Sequence, residues 1–263
     1  MFYSKNPVFS EKSIIKAEVL QENVLYPMRM FEHLYADYTD GIVTGVRLQA
    51  KDTDELLLSP GIIKYQGRLY HMEESACVEF EHNNRMNYLK IRFDNGECTS
   101  DGELFHTQVL LTNEETCFPY EMELGRFFTE AGARLIDHAQ HFEDFFIEHN
   151  HIDVRYVPYS ARTEATISPE ITVAFARDML QKQEKGEADI CFCMQCLRKE
   201  PVDREIICAY ISAKTGRPVA KMNNAQMCEA LLSILKKGCT MVAERQTFRE
   251  RQTFRERRSI IVD

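Results

Sequence analysis

The residues with the most chemical potential in this 263-residue chain are two clusters of soft and basic ligands. The first is Cys191-Phe-Cys193-Met-Gln-Cys196, with Cys208 downstream. A structural zinc needs four tetrahedral thiolate or imidazole ligands, commonly two close pairs on turns. Here a C-x-C-x-x-C run is followed by one distant cysteine, with no Pro or Gly making the usual knuckle. On a strand, Cys191 and Cys193 would share a face and Cys196 would point away. The pattern therefore reads as small buried hydrophobes, with a metal at Cys191, Cys193, Cys196 and Cys208 as the rival. The second cluster is His138, His141, His149 and His151, set among Asp137, Glu143, Asp144 and Glu148. No H-E-x-x-H or repeated Glu-x-x-His pairing accompanies it, so it reads as a solvated acidic helix face.

Other signatures of chemistry are missing. The chain contains no phosphate-loop G-x-x-x-x-G-K-[ST], no G-x-G-x-x-G and no G-x-S-x-G elbow, and Thr215-Gly-Arg-Pro218 reads as a turn. No catalytic, cofactor-binding or metal-binding residue is assigned, and no cofactor is called for. The expectation is a non-enzyme.

Bulk properties narrow the class. Hydrophobic residues make up 44% and charged residues 28%, an ordinary globular composition. The net charge of −9 opposes non-specific binding to nucleic acid, which depends on concentrated Lys and Arg. The opening Met1-Phe-Tyr-Ser-Lys-Asn-Pro7 lacks an apolar signal core, and the nine cysteines are an odd number, so reduced thiols in the cytosol are expected.

The elements that must position these residues divide the chain. Gly41 to Leu48, Glu55 to Ser59, Ile62 to Tyr65 and Arg68 to Met72 read as short strands, separated by Pro60-Gly61 and Gln66-Gly67 turns. Asn87 to Phe93 and Phe105 to Leu111 extend the β pattern. Phe127 to His149 carries apolar residues near helical spacing. Ser168-Pro-Glu170 is a helix start whose stripe is Ile171, Ala174, Phe175 and Met179, with Gly186 as its stop. Ile190 to Leu197 and Glu205 to Ser212 read as two strands of a hairpin. Asn223 or Asn224 caps a final helix running to Gly238.

The resulting expectation is an α+β protein: a small antiparallel β-rich N-terminal module, then a mixed helix/β-hairpin/helix C-terminal domain. Its divisions are a β-rich attachment module (1–120), a helical connector (121–160), a mixed α/β domain (161–243) and a basic repeat tail (244–263). In that tail Arg245-Gln-Thr-Phe-Arg-Glu250 is copied at Arg251 to Glu256, a period too short for a solenoid.

The segment Asp40-Gly-Ile-Val-Thr-Gly-Val-Arg-Leu48, followed by Leu58-Ser-Pro-Gly-Ile-Ile-Lys-Tyr-Gln-Gly-Arg-Leu-Tyr70, resembles the opening module of phage tail-fibre and baseplate proteins. In these a G-I-x-x-G strand precedes an S-P-G…G-R hairpin, and the module attaches the protein to the distal end of the tail. Glu123-Leu-Gly-Arg-Phe-Phe128 and the helix after Ser168 are compatible with baseplate-associated proteins of contractile tails. The resemblance implies a structural baseplate or fibre-adaptor subunit of a phage tail or contractile phage-tail-like injection particle. Its partners would be other baseplate or tail-fibre subunits, met as a homo- or hetero-oligomer, without membrane and without nucleic acid. It would be cytoplasmic during assembly and then part of a virion or phage-tail-like particle. Gly41, Gly45, Pro60, Gly61 and Gly67 would shape its backbone. The rival class is an intracellular enzyme or nucleic-acid-processing factor with a metal on the cysteine cluster.

Overall fold

The computed structural model describes residues 16–99, 102–115, 117–219 and 221–237. It is an α+β protein, with antiparallel sheets in the N-terminal part and helices in the C-terminal part. A first helix, α1 (Ala17–Leu34), leads into β1 (Gly41–Gly45), β2 (Leu48–Ala50), β3 (Glu55–Leu58), β4 (Gly61–Tyr65), β5 (Arg68–Met72) and β6 (Ala76–Glu79). Then come β7 (Met86–Phe93), β8 (Glu97–Thr99), β9 (Gly102–Leu104), β10 (Thr107–Thr112), β11 (Glu121–Phe128) and β12 (Ile152–Asp153). The helices α2 (Pro169–Gln181), α3 (Glu187–Cys196), α4 (Arg204–Thr215) and α5 (224–237) complete the described elements.

The strands form three small sheets, β1-β4-β5, β2-β3-β6 and β10-β7-β11-β12, and a β8-β9 ribbon. The chain switches from the first sheet to the second between β1 and β2. There Gly45 and Val46 both take positive φ, 68° and 54°. The strands expected from turn spacing all occur, with the β1 segment split in two by this kink. At the Gln66-Gly67 turn Tyr65 pairs with Arg68, and φ is 47° and 79° at the two central residues. This is the primed turn that matches the twist of a tight hairpin.

Two apolar cores result. The β core gathers Ile42, Leu56, Leu58, Leu89, Leu124 and Phe127. The helical core gathers Phe142, Phe175, Phe192, Ile207, Met227 and Leu231. Val154 packs against both.

Three expectations are overturned. Phe127 to His149 is not a helix: it is the end of β11, a loop, and a single 3-10 turn over Phe142–Phe146. Its apolar residues serve two masters, since Phe127 and Leu135 enter the β core while Phe142 and Phe145 enter the helical core. β7 supplies the edge that captures Phe127 and Phe128, through pairs with Asn87 and Met86. The helical connector expected over 121–160 is therefore not helical.

The expected hairpin of Ile190–Leu197 and Glu205–Ser212 is also absent, because these segments are α3 and α4. Asp189, Phe192, Cys193 and Cys196 are the buried residues of α3, an i, i+3, i+4, i+7 set that one helical face presents. α4 buries Ile207, Tyr210 and Ile211 in the same way and stops at Gly216, whose φ of 66° suits the residue after a helix. Gly186 does not stop α2, which ends at Gln181; it precedes α3, where its N–H donates to the Asp189 carboxylate at 2.9 Å. The start of α2 is as expected, with Ser168 Oγ accepting from the Glu170 N–H at 3.2 Å. In α5 a reciprocal cap joins Asn223 and Gln226, each side chain accepting from the other's N–H at 2.9 Å. Gly238 and the repeat of 245–256 lie outside the described residues.

Candidate functional site

The glycines assigned to backbone shaping sit at close backbone crossings. A Cβ on Gly45 would lie 2.0 Å from the Pro60 carbonyl oxygen, and that same carbonyl accepts the Val46 N–H at 3.2 Å. Gly45, Pro60 and Gly61 thus form one crossing, where a side chain on Gly61 would meet the Thr44 carbonyl at 2.4 Å. Gly41 makes another, against Ser160 and Tyr159. Gly67 differs: its turn needs the positive φ, but the space around it is open.

Beside this module stands α1, which the strand-centred reading of the first third of the sequence missed. None of its residues is buried. Ala17, Leu20, Val24, Pro27, Phe31 and Leu34 recur at alternating separations of three and four, the spacing of a coiled-coil seam. Met28 and Met30 widen the stripe, while Glu18, Glu22, Arg29 and Glu32 fall on the other side of the helix. Val24 and Leu34 are each 64% exposed. Among the described residues nothing covers the stripe.

The base of α1 is nevertheless fixed. Lys64 of β4 is buried, and its ammonium donates to the carbonyls of Tyr35, Ala36 and Tyr38, just past the helix end. A cation there satisfies orphan carbonyls and meets the negative pole of the helix dipole. The linker is also sewn to the far side of the module: the Thr39 N–H donates to the Ala161 carbonyl and the Ser160 hydroxyl to the Thr39 carbonyl. The helix is thus held at its C-terminal end, and its apolar stripe projects from the β module.

The cysteine cluster does not assemble. Cys191 is exposed, Cys193 and Cys196 share the buried face of α3, and Cys208 on α4 is half-buried. Burial pushes the Cys193 thiol up to about 11 and the Cys196 thiol to about 12, opposite to the thiolate that metal binding needs. Among the described residues no group of three or more His, Cys, Asp or Glu is placed to hold a metal ion. What organises α3 is Asp189, which sequence reasoning passed over. Its buried carboxylate accepts from the Tyr210 hydroxyl at 2.7 Å and from Lys214 at 2.9 Å, while Phe192 stacks on Tyr210 at 4.2 Å.

The histidines scatter as well. His138, His141 and His149 are exposed and pair with Asp137, Asp178 and Glu130 at 3.1, 3.2 and 3.2 Å. They are solvated, as expected, but lie on loops and the rim of the 3-10 turn. His151 departs from that reading. It is 3% exposed, and neither ring nitrogen has a hydrogen-bond partner. Burial lowers its pKa, against the Ile152 and His138 backbone and the Asp153 and Asp144 carboxylates, which act to raise it. An unsatisfied buried polar group of this kind costs about 1–3 kcal/mol. No sequence signal separates it from its three exposed neighbours.

No described helix is long and apolar enough to cross a membrane. No family model matches the sequence, and no curated protein matches it. Among solved structures, a crystal structure of TssK is similar at a TM-score of 0.37 and 9% identity, over 89% of this chain and 69% of that one. A chain from the cryo-electron microscopy structure of the type VI secretion system TssK-TssF-TssG baseplate subcomplex is similar at a TM-score of 0.43 and 8% identity, over 90% of this chain and 99% of that one.

Proposed function

We propose that this chain is a structural subunit of a phage tail or a contractile phage-tail-like injection particle, a baseplate component or fibre adaptor that works by joining neighbouring subunits. The observation that carries the reading is α1: an 18-residue helix with an apolar seam, no buried residue and a base locked to the β module. A helix of this length spans about 27 Å. A contiguous exposed apolar stripe favours a protein–protein contact. The resemblance of the Asp40–Tyr70 segment to tail-fibre and baseplate proteins supplies the kind of assembly, and the close crossing at Gly45, Pro60 and Gly61 gives that motif a physical reason.

Magnitudes favour a many-contact assembly over a single docking event. Covering Leu20, Val24, Phe31 and Leu34 contributes on the order of 4 kcal/mol, taking ~1.5–3 kcal/mol for full burial of each and about half of each as exposed. Association costs about 4–15 kcal/mol in lost freedom alone. The helix therefore holds its place only when other surfaces of the β-rich module engage at the same time, as they do in a multi-subunit particle.

The test is co-sedimentation of the full chain with tail or injection particles isolated from its source. The wild-type chain is expected in the particle fraction. A variant with Leu20, Val24, Phe31 and Leu34 all changed to Gln is expected to fold normally and to stay in the supernatant. A wild-type chain absent from every particle, or a variant that incorporates normally, overturns the reading.

A further inference from the structure

A cleft of about 330 Å³ lies where the two cores meet, lined by the β1–β2 kink, the segment around β12 and the face of α2. Its surface is divided by chemistry. Leu48, Leu124, Ile152, Val157, Val173 and Ala174 provide apolar walls. The charged groups are Arg47, Arg177 and Lys199 against Asp137 and Glu170, leaving one positive charge in excess. Glu170, Val173, Ala174 and Arg177 recur at i, i+3, i+4 and i+7, so a single face of α2 presents both the apolar wall and its cation.

The two carboxylates are already engaged. Glu170 lies 3.1 Å from the Arg47 guanidinium. Asp137 accepts the Ala50 N–H at 2.9 Å and faces His138 Nδ1 at 3.1 Å. Arg177 and Lys199 have no side-chain partner among the described residues. His151, which also lines the cleft, is buried with both nitrogens unpartnered. Two cations without a side-chain partner among the described residues and an unsatisfied buried imidazole therefore border one cleft with both polar and apolar walls. Buried polar groups are nearly always hydrogen-bonded, and a few convergent polar groups in an apolar concavity are what a ligand site requires.

We propose that this cleft binds a monocarboxylate with an apolar body, its carboxylate held by Arg177 and Lys199 and hydrogen-bonded by His151. The charge excess sets the valence. One carboxylate neutralises it, whereas a phosphate dianion would add a charge beside Asp137 and Glu170. The apolar walls set the body, since a fully hydrated small anion would leave them uncovered. The carboxylate has two sources, a free organic acid or an acidic side chain of an assembling partner. No cleft residue lies on α1, so the site stands independently of the assembly reading.

Titration of the full chain with hexanoate, hexanol and inorganic phosphate tests the site, with the ring nitrogen signals of labelled histidine as a second readout. Hexanoate is expected to saturate and to shift the His151 signals, with phosphate at least about tenfold weaker. Arg177→Gln, a change at an exposed position, should weaken hexanoate about tenfold or more and leave hexanol unchanged. His151→Gln should weaken hexanoate as well. A blocked Leu-Glu-Leu tripeptide that binds more tightly than hexanoate, with its Leu-Gln-Leu counterpart silent, assigns the carboxylate to a partner's side chain. The reverse order assigns it to a free acid. Failure of both hexanoate and the Glu peptide to saturate overturns the proposal. So does hexanoate binding that Arg177→Gln leaves unchanged, or phosphate binding as tight as hexanoate.

Discussion

α1 and α2 are both amphipathic, yet they meet opposite fates. α2 buries seven of its residues, and its Phe175 touches Phe142, Phe192 and Tyr210 edge-on. α1 buries none, although its stripe holds Leu, Val, Met and Phe in a regular seam. An apolar stripe is a demand for cover, and composition does not say who supplies it. In α2 the cover is the chain's own helical core; in α1 the described residues supply an anchor, Lys64, at one end. The difference separates residues that hold the fold from residues left exposed on it.

The largest way to break this contrast is Phe175→Ala. The ring is fully buried among three aromatic neighbours, and loss of a core phenylalanine costs about 3–5 kcal/mol. Denaturant melts of the helical part should show the whole of that loss. A small effect would mean that the helical core is loosely packed and that α2 resembles α1 more than its burial indicates.

Close behind is Gly45→Ala, which sharpens the contrast on the β side. The methyl would sit against the Pro60 carbonyl at a residue already at positive φ, so backbone must move; roughly 3 kcal/mol is expected. Gly67→Ala also occupies a positive φ but has open space around it, and about 1 kcal/mol is expected. Equal effects in thermal melts would show that dihedral preference, not the crossing of β1 and β4, makes these glycines matter.

A buried charge gives the next effect. Burial alone would push the Asp189 carboxyl up, but Lys214, Tyr210 and the Gly186 N–H together hold it below its usual value of 3.8. A depressed carboxylate contributes stability above its unfolded pKa and loses it as pH falls through the lower folded value. Melts of the wild-type chain should therefore weaken below about pH 4. Asp189→Asn should cost about 1.5–3 kcal/mol near neutrality and show a flatter acid limb. An unchanged acid limb would remove Asp189 from the account of how α3 and α4 are joined.

Legibility in the sequence followed the same divide. Strands bounded by Gly45, Pro60-Gly61 and Gln66-Gly67 were readable because turns are local chemistry. The start of α2 was readable because Ser168-Pro169-Glu170 caps it without help from the rest of the chain. Phe127–His149 misled because its apolar residues answer to two cores, a long-range fact. Ile190–Leu197 misled because alternating cysteines suggest period two, while the buried set Asp189, Phe192, Cys193 and Cys196 has helical period and includes a charged residue. His151 was hidden among three exposed histidines, and α1 behind the stronger signal of the glycine-punctuated strands.

The smallest expected effect is the one that tests the contrast most sharply. Phe31 and Phe175 are the same residue in the same secondary structure, 54% exposed in one case and fully buried in the other. Phe31→Ala removes a ring that touches no core, so the stability of the isolated chain should change by no more than about 0.5 kcal/mol. Helix propensity even runs slightly in its favour, since alanine is the better helix former. The whole effect should appear elsewhere, as weaker retention of the chain in a sedimented particle. A Phe31→Ala chain that melts as early as Phe175→Ala would mean that α1 folds back onto its own molecule in solution. The seam would then belong to the fold, and assembly would have to rest on the β module alone.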